Sequence, residues 1–369
     1  MVIGKNRETK LVVNLQAITD NIQHERAILT DDVEMFAVVK ANGYGHGILE
    51  IAQTALAAGA TGLCVAILDE ALSLRKAGIT APILVLGITS PAFATLAADA
   101  GISLTVGSVD WLQDYADQTT AKQPLSVHLA IDTGMGRIGF RHSEDVKQAE
   151  TLLASDLFSF DGVFTHFATA DQTDTKYFEQ QFKTWQQLTG ALVQLPKYVH
   201  ISNSATSLWH LPVTGNMIRF GVTMYGLNPS GVAIEELPYQ LEPAAELETQ
   251  LVFVKQIPAG ASVSYGATYT AKTDEWIGTV PIGYADGYPR CMQGFHVLID
   301  GQQCEIVGRI CMDQMMIRLP KQYQTGTKVT LIGHQGNQTI GATDVAEYAG
   351  TINYEIMTSV AERVQRVYR

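Results

Sequence analysis

The feature that most constrains the fold is an alternation, from about residue 12 to residue 225, of short apolar runs with stretches of helical periodicity. In the helical stretches, which include 48–58, 68–77 and 177–194, apolar residues recur at i, i+3 and i+4. Uninterrupted apolar runs of this length are typical of parallel strands covered on both faces. The runs are 36–39, 62–66, 83–86, 102–106, 126–131, 160–165, 198–201 and 217–220.

Eight strand–helix units over about 210 residues predict a (β/α)8 barrel, the TIM-barrel fold. A doubly wound sheet is the structural alternative. It usually has fewer strands and often carries a GxGxxG turn, which this sequence lacks. The sequence therefore favours the barrel.

The pattern changes after Pro238, where short strands alternate with turns. We predict a barrel over residues 12–238 and a C-terminal, mainly β domain over 239–369, to which residues 1–11 could add a strand. Within that domain 299–302 is a hairpin signal, because glycine tolerates positive φ at the turn. The predicted strands are 247–257, 262–270, 276–282, 296–299, 304–307 and 315–319.

Charge and composition narrow the partners and the compartment. The chain has 25 Lys and Arg against 37 Asp and Glu, a net charge of −12, and no basic run, which disfavours nucleic acid and anionic membranes. The start MVIGKNRETK has charges where a signal peptide needs an apolar core. The uncharged stretch 77–98 contains Pro82 and Pro91, which favour a buried strand and a helix over a membrane span. Its 4 cysteines show no zinc spacing, so we expect a cytoplasmic protein without a metal site.

Polar residues gather where the predicted barrel strands end, which is where such barrels place their active sites. Lys40 ends the first apolar run; a lysine there is most often a snorkelling rim residue, but one buried at a barrel mouth can form a Schiff base. Ser204 is most simply a helix N-cap, yet the loops after strands 7 and 8 often bind phosphate, which Gly221 would admit close to the backbone. Arg137 and Arg219, taken singly, would be rim ion pairs.

Segments in every part of the chain, in the same order, resemble the alanine racemase family. The family implies pyridoxal 5′-phosphate (PLP) on a TIM barrel, a C-terminal β domain and a homodimer with shared active sites. The implied activity is interconversion of L- and D-alanine, which supplies D-alanine for peptidoglycan. The segments are AVVKANGYGHG (37–47), IDTGMGRIGF (131–140), HISNSA (200–205), IRFGVTMYG (218–226), VSYGATY (263–269), IGYADGYPR (282–290) and GRICMDQ (308–314).

By this resemblance Lys40 binds PLP covalently, and Tyr265 of the partner subunit is the second catalytic base. Arg219 is the partner of the pyridine nitrogen, while Arg137 and the backbone of Met312 bind the substrate carboxylate. His166 stacks on the pyridine ring. Further residues that match cofactor contacts are Tyr44, Leu86, Asn203, Ser204, Gly221, Val222 and Tyr354. Those that match the passage by which substrate reaches the site are Asp171, Tyr284, Arg290 and Arg309.

The chemistry explains these residue types. Racemisation removes the α-proton from one face and returns a proton to the other, so an amine (Lys40) and a phenol (Tyr265) would flank the cofactor, each tuned toward neutral pH. We expect Tyr265 to serve L-alanine and Lys40 to serve D-alanine; a tyrosine in a β domain would otherwise be ordinary packing. The Arg219 guanidinium only donates, so it keeps the pyridine nitrogen unprotonated and restrains transamination and decarboxylation.

One position departs from the family. Ala130 stands where many alanine racemases have a carbamylated lysine that supports the following arginine, here Arg137. An unsupported guanidinium is costly in a desolvated pocket. Either an anion such as chloride or another polar group orients Arg137, or Arg137 is sufficiently solvated and needs no support.

Other functions are compatible with parts of this pattern. A barrel decarboxylase of the ornithine or diaminopimelate type would place an acidic residue where Arg219 stands and would carry a glycine-rich phosphate loop. A non-enzymatic PLP-carrying barrel would lack the domain over 239–369. A racemase of wider range, acting on serine or larger amino acids, fits the same residues, because fold alone does not choose a substrate.

Overall fold

A computed structural model of the chain describes residues 2–211 and 215–369. The chain divides into two compact units. The first, here called the barrel unit, comprises Ile18–Gly43 and Ile48–Glu242. The second, the sheet unit, comprises Met1–Ala17, Tyr44–Gly47 and Pro243–Arg369. The first regular elements are strand β1 (Lys10–Val13) and helix α1 (Leu15–Ile28).

Parallel strands form the core of the barrel unit. They are β2 (Glu34–Val38), β3 (Gly62–Val65), β4 (Ile83–Ile88), β5 (Ser103–Val106), β6 (Leu125–Ala130), β7 (Phe158–Phe164), β8 (Tyr198–His200) and β9 (Met217–Phe220). The 8 strands are hydrogen-bonded in the order β8-β7-β6-β5-β4-β3-β2-β9. A parallel bridge between Ser202 and Ile218 joins the chain just beyond β8 to β9 and nearly closes the barrel. The predicted (β/α)8 fold is confirmed.

Helical segments alternate with these strands. They are α2 (Lys40–Tyr44), α3 (Ile48–Ala57), α4 (Leu68–Lys76), α5 (Pro91–Asp99), α6 (Val109–Gln118), α7 (Ser143–Leu153), α8 (Lys176–Thr189) and α9 (Ser204–Trp209). The uncharged stretch 77–98 forms β4 and most of α5, as predicted. Within the described ranges, no helix is both long and apolar enough to cross a membrane.

The end of α8 differs from its prediction. The periodicity predicts a helix as far as residue 194, but α8 ends at Thr189. Gly190 follows as the C-cap residue, and glycine has a low helix propensity. Pro196 also disfavours helical backbone at the residue before it.

The sheet unit is built on a mainly antiparallel sheet that includes β1. Its further strands are β10 (Ala245–Gln250), β11 (Phe253–Ile257), β12 (Ser262–Val263), β13 (Tyr269–Thr270), β14 (Glu275–Val280), β15 (His296–Ile299), β16 (Gln302–Val307), β17 (Met315–Leu319), β18 (Lys328–Gln335), β19 (Gln338–Ile340) and β20 (Gln365–Tyr368). The main order is β11-β14-β17-β16-β15-β18-β10-β1-β20, with β19 paired to β18. Helices α10 (Ala342–Ala349) and α11 (Asn353–Ser359) precede β20.

Two predicted strands of this unit are wrong in detail. The run 247–257 is divided into β10 and β11. The run 262–270 is a hairpin, β12 and β13, joined through a 3-10 turn at Tyr265–Ala267. The predicted hairpin at 299–302 is confirmed, because Asp300 (φ 50°) and Gly301 (φ 71°) both have positive φ between β15 and β16.

A buried carboxylate anchors the N-terminal segment within the sheet unit. Asp286 accepts hydrogen bonds from the Arg7 guanidinium and from the backbone N–H of Gly283, and it pairs with Arg363 at 2.8 Å. Its charge is therefore matched by two arginines, as a buried charge requires. Since β1 begins three residues after Arg7, this contact holds the segment before β1 against the sheet that carries β14 and β17.

Candidate active site

Lys40 lies just past the carboxyl end of β2, where the sequence places it. Its side chain is half-buried, and burial lowers the pKa of the amine, with the charge of Arg137 as the next cause. The residues behind it are left-handed: Ala41 (φ 53°, ψ 51°), Asn42 (φ 55°, ψ 47°) and Gly43 (φ 61°, ψ 47°). Left-handed backbone costs a residue with a Cβ about 1–2 kcal/mol. Such strain persists only where the surroundings impose it, and it clusters at functional sites.

Glu70, in the first turn of α4, holds this turn in place. Its Oε1 accepts a hydrogen bond from the Ala41 N–H (2.7 Å). Its Oε2 accepts from the N–H groups of Ala66 (2.8 Å) and Ile67 (3.3 Å), just past β3. The carboxylate thus joins the ends of two neighbouring barrel strands behind Lys40. No sequence pattern marks Glu70 as a site residue, because an acidic residue in a first helical turn is ordinary capping chemistry.

Arg219, in β9, is buried among neutral partners. Its Nη1 donates to Nδ1 and to the backbone oxygen of His200 (2.7 and 2.8 Å), and its Nη2 donates to the backbone oxygen of Thr165 (2.8 Å). Burial lowers the pKa of Arg219 to about 10, so the guanidinium stays charged at neutral pH. Within the described ranges it forms no ion pair with a carboxylate.

The guanidinium also fixes the protonation of two histidines. Since it can only donate, His200 must accept at Nδ1, so its proton is on Nε2 and is donated to Nδ1 of His128 (2.8 Å). Burial lowers the pKa of His128 to about 4 and that of His200 well below its ordinary value, so both rings are neutral. The His128 ring fits against the backbone of Gly162 because glycine has no Cβ: a Cβ there would lie 2.2 Å from Nδ1 of His128. The sequence analysis did not find His128.

His166 follows β7 and is a half-buried, neutral ring. Its pKa lies well below the ordinary value because of burial and then because of the charges of Arg219, Arg137 and Lys40. The amide nitrogen of Asn203 lies 3.4 Å from its Nε2. A neutral imidazole beside three cations is suited to stack on an aromatic ligand.

The start of α9 corrects one detail of the sequence analysis. Asn203, not Ser204, is the N-cap: its side-chain oxygen accepts from the Thr206 N–H (2.9 Å). Ser204 is the first helical residue, and its Oγ accepts from the Gly221 N–H (2.9 Å), just past β9. The Ser204 hydroxyl therefore joins the ends of β8 and β9, beside the buried Val222.

The donors at this end of the barrel suit an anionic ligand. Lys40, Arg137 and Arg219 influence one another electrostatically, and none of them forms an ion pair with a carboxylate of the described ranges. The exposed Arg137 makes no hydrogen bond to any residue that the structure describes, and Ala130, at the end of β6, is buried. Near Ser204 and Val222, the buried hydroxyls of Ser202 and Thr223 also lack a hydrogen-bond partner among the residues that the structure describes. Uncompensated buried charge and unpaired donors are costly unless a ligand satisfies them.

The remaining barrel positions are placed as follows. Leu86 is half-buried within β4, at the same end as Lys40. Asp171 is half-buried after β7, and burial raises the pKa of its carboxyl. In the part of the chain that the structure describes, neither side chain makes a hydrogen bond or an ion pair with Lys40 or Arg219, so their roles rest on the resemblance.

The sheet unit brings a second group of predicted residues together. Backbone N–H groups of Tyr284 and Ala285 donate to the carbonyl oxygens of Cys311 (3.2 Å) and Met312 (3.0 Å). The hydroxyl of Ser264 donates to the carbonyl of Arg309 (2.5 Å). Three loops, 264–267, 283–287 and 308–312, therefore form one cluster, here called the loop cluster, which carries Tyr265, Tyr284, Arg309 and Met312.

Three further residues of the sheet unit lie outside the loop cluster. Arg290 is exposed just beyond it, and no hydrogen bond to a described residue joins it to these loops. The rings of Tyr44 and Tyr354 lie 6.2 Å apart between centroids, with Tyr44 buried. Their two phenols are thus neighbours, as a shared ligand would require.

Comparisons with known proteins agree on one family. Residues 13–229 match the family described as alanine racemase, N-terminal domain, and residues 244–368 match alanine racemase, C-terminal domain. An alanine racemase of Pediococcus pentosaceus is 60% identical over 369 residues, covering 100% of this chain and 98% of the relative. The crystal structure of alanine racemase from E. faecalis shares 50% identity at a TM-score of 0.98, covering 100% of both chains. A histidine racemase from Leuconostoc mesenteroides shares 36% identity at a TM-score of 0.94, again over 100% of both chains.

Proposed function

We infer, because this chain belongs to the alanine racemase family, that it is an isomerase that interconverts L-alanine and D-alanine with PLP as its cofactor. The observation that carries this proposal is the end of the barrel where Lys40, Arg137 and Arg219 gather, none of them in an ion pair with a carboxylate of residues 2–211 or 215–369. A cofactor with a phosphate and a substrate with a carboxylate would supply the missing negative charge. The acidic residue expected at Arg219 in a barrel decarboxylase is absent.

The barrel residues would divide the binding of the cofactor among them. Lys40 would hold it covalently through Nζ, and His166 would stack on its ring. The Ser204 hydroxyl accepts from Gly221 and so has its own hydrogen left to donate to a phosphate oxygen, beside the backbone of Val222. When bound, PLP supplies a conjugated ring that stabilises the negative charge left at Cα when the α-proton is removed.

Arg219 would set the electronic character of that ring. Described partners use three of its N–H hydrogen bonds, and a guanidinium has five N–H groups, so two remain for a ring nitrogen. Because the neutral pair His200 and His128 cannot take its proton, Arg219 stays a cationic donor and the ring nitrogen stays an acceptor. This restrains reactions that need a protonated ring and favours return of the proton to Cα.

Proton transfer itself would involve two bases. Lys40 would take or return the α-proton on the face of D-alanine, and the phenol of Tyr265 would do so on the face of L-alanine. Arg137 and the backbone of Met312 would hold the substrate carboxylate by charge-assisted hydrogen bonds. We propose that Tyr265 and Met312 come from the loop cluster of a partner subunit, in a homodimer with shared sites.

The other site residues are proposed on the resemblance. Tyr44 and Tyr354 would donate to the phosphate, Leu86 and Asn203 would contact the cofactor, and the domains would be those predicted, 12–238 and 239–369. A cytoplasmic location and a role in supplying D-alanine for peptidoglycan are proposed on the same basis. The passage for substrate would be lined by Asp171, Tyr284, Arg290 and Arg309.

The direct test follows both reaction and exchange. Purified holoenzyme is incubated in D₂O with L-alanine and, in parallel, with L-serine, and the D-product and the deuterium at Cα are measured together. We expect D-alanine to form with deuterium at Cα. Conversion of L-serine at a similar rate would support the racemase of wider range, and no conversion of either amino acid would refute the proposal.

The covalent role of Lys40 has its own test. Reduction of the holoenzyme with borohydride, followed by peptide mapping, should place the pyridoxyl group on Lys40. Lys76, at the end of α4, is a lysine of the same unit and should remain unlabelled. A label on any other lysine would remove Lys40 from the account.

A further inference from the structure

Backbone strain in this protein is concentrated beside the two proposed bases. Among the described residues, the non-glycine residues with positive φ are Ala41, Asn42, Tyr44, Ser264, Ala267 and Asp300. Three of them follow Lys40, two flank Tyr265, and the last belongs to the hairpin turn between β15 and β16. Glu70 holds the strained turn beside Lys40 through its hydrogen bond from Ala41. The strained turn beside Tyr265 is held by other contacts.

Ser264 has the least ordinary conformation of this group. Its φ of 66° and ψ of −176° fall in a region that is essentially restricted to glycine. Gly266 (φ 75°) and Ala267 (φ 48°) continue the left-handed path on the other side of Tyr265. The phenol of Tyr265 is carried outward by this path, with 66% of the residue exposed.

Contacts of Ser264 impose this conformation. Its Oγ donates to the carbonyl oxygen of Arg309 (2.5 Å), and its own carbonyl accepts from the Ala267 N–H (3.2 Å). Gly308 allows the close approach, because a Cβ there would lie 2.7 Å from the carbonyl oxygen of Val263 and 2.8 Å from Cβ of Ser264. Ser264 therefore fastens the turn of Tyr265 to the loop of Arg309 that continues to Met312.

We propose that Ser264 is a positioning residue for Tyr265. Its hydroxyl bond to Arg309 holds a strained turn that fixes the phenol relative to the Met312 backbone, so that base and carboxylate binder move as one body. This inference rests on the proposed function, in which Tyr265 is the base for L-alanine. The competing account is that Ser264 merely stabilises the β12–β13 hairpin.

The strain is tested by stability, without any reaction. Ser264→Gly removes the energetic cost of the positive φ, because glycine adopts it freely, whereas Ser264→Ala keeps that cost. Both variants lose the hydroxyl. We expect the glycine variant to melt roughly 2–4 °C above the alanine variant. At Ser262, an exposed residue of β12 without positive φ, the order should be reversed, because glycine destabilises ordinary strands. Alanine melting above glycine at position 264 would refute the strain.

The positioning role is tested by the direction of proton exchange. Holoenzyme in D₂O is given L-alanine or D-alanine, and initial deuteration at Cα is followed by proton NMR. In Ser264→Ala and Ser264→Gly we expect the deuteration of L-alanine to fall about 10- to 100-fold, as for a misplaced catalytic group. Deuteration of D-alanine, which uses Lys40, should change by less than about threefold on the same reasoning. Ser262→Ala should leave both rates unchanged.

The outcomes separate this inference from the proposed function. An equal loss for both enantiomers, or no loss for either, would overturn the positioning role of Ser264. Wild-type protein that deuterates neither enantiomer would instead refute the racemase. In that case the melting order at positions 264 and 262 would still decide whether Ser264 holds a strained turn.

Discussion

Glu70 illustrates how one side chain could position Lys40, the proposed catalytic lysine, without touching substrate. Its carboxylate accepts three backbone hydrogen bonds, one of them from Ala41 beside Lys40. In Glu70→Gln the amide nitrogen cannot accept, so part of this support is lost. We expect kcat/KM to fall about 10- to 100-fold, because a misplacement of about 1 Å has an effect of that size.

The control for this prediction lies on the same helix turn. The side chain of Asp69 is exposed and makes no hydrogen bond to a described residue, so Asp69→Asn should keep wild-type kinetics. Steady-state kinetics of both variants, with the bound PLP quantified by absorbance, decide the matter. Equal behaviour of the two variants would show that the Glu70 contacts do not position Lys40.

The histidines behind Arg219 make a second prediction at this scale. Because Arg219 can only donate, His200 and His128 should both carry their proton on Nε2 and stay neutral. Nitrogen-15 NMR of histidine-labelled protein should show both rings without titration from about pH 6 to 9, since burial lowers both pKa values. The exposed His334 provides a comparison ring in the same spectrum. A proton on Nδ1 of His200 would contradict the arrangement.

The third prediction for single residues concerns Arg137. It has no hydrogen-bond partner in the described chain, and Ala130 offers no side chain to support it. If chloride orients Arg137, KM for L-alanine should fall and then saturate as chloride is raised at constant ionic strength, with a bulky inert anion as the balance. A flat series would favour an arginine supported by solvent alone.

The sequence predicts which residues meet at the barrel end more readily than it predicts the residues that hold them in position. Lys40, Ser204 and Arg219 stand out because they lie near or just past the carboxyl ends of predicted strands. Glu70 and His128 act through partners 29 and 72 positions away, and no local pattern encodes such pairs. Asn203 has the capping role assigned to Ser204, because the helix begins at Ser204, one residue earlier than a Ser204 cap would require.

Glu25, in helix α1, makes the stability of the protein depend on pH. Glu25 is buried; burial raises the pKa of its carboxyl to about 7, against the lowering effect of the hydrogen bond from Tyr239 (2.5 Å). The folded state thus holds a proton that the unfolded state releases near pH 4.5. The free energy of unfolding should therefore fall by roughly 3 kcal/mol as pH rises from about 4.5 to 7. Above pH 7 it should stay at this lower value.

A single substitution tests this dependence. Glu25→Gln keeps the shape and cannot ionise, so it should raise Tm at pH 8 and change it little at pH 5. Glu235→Gln, at an exposed position of the same unit, should change neither. A Tm gain that is the same at both pH values would mean that ionisation of Glu25 is not the cause.

Elements with continuous apolar runs were predicted well, and irregular ones were not. Barrel strands such as β3 are buried at every position, so the run itself marks the strand. The hairpin of β12 and β13 was missed because its turn depends on positive φ at Ser264 and Ala267, residues that do not usually adopt it. Strand β20 is half-buried at all of its positions, so no continuous apolar run marks it.

For the whole molecule, the sequence predicts the number of barrel strands but not the strand order of the sheet unit. That order depends on contacts between distant segments: β1 pairs in parallel with β20, so Lys10 faces Gln365. Hydrophobic periodicity indicates which face of a strand or helix is buried, but not which other strand it pairs with. The prediction of a homodimer likewise comes from the resemblance and not from the periodicity.

The central claim is a racemase site completed by two chains, with Lys40 from one barrel and Tyr265 of the partner subunit. Mixing inactive Lys40→Ala with inactive Tyr265→Phe and allowing subunits to exchange gives hybrid dimers in which one of the two sites is intact. With random exchange, alanine racemisation should return to about a quarter of the wild-type rate. No recovery, after subunit exchange has been verified by mass, would contradict a shared site.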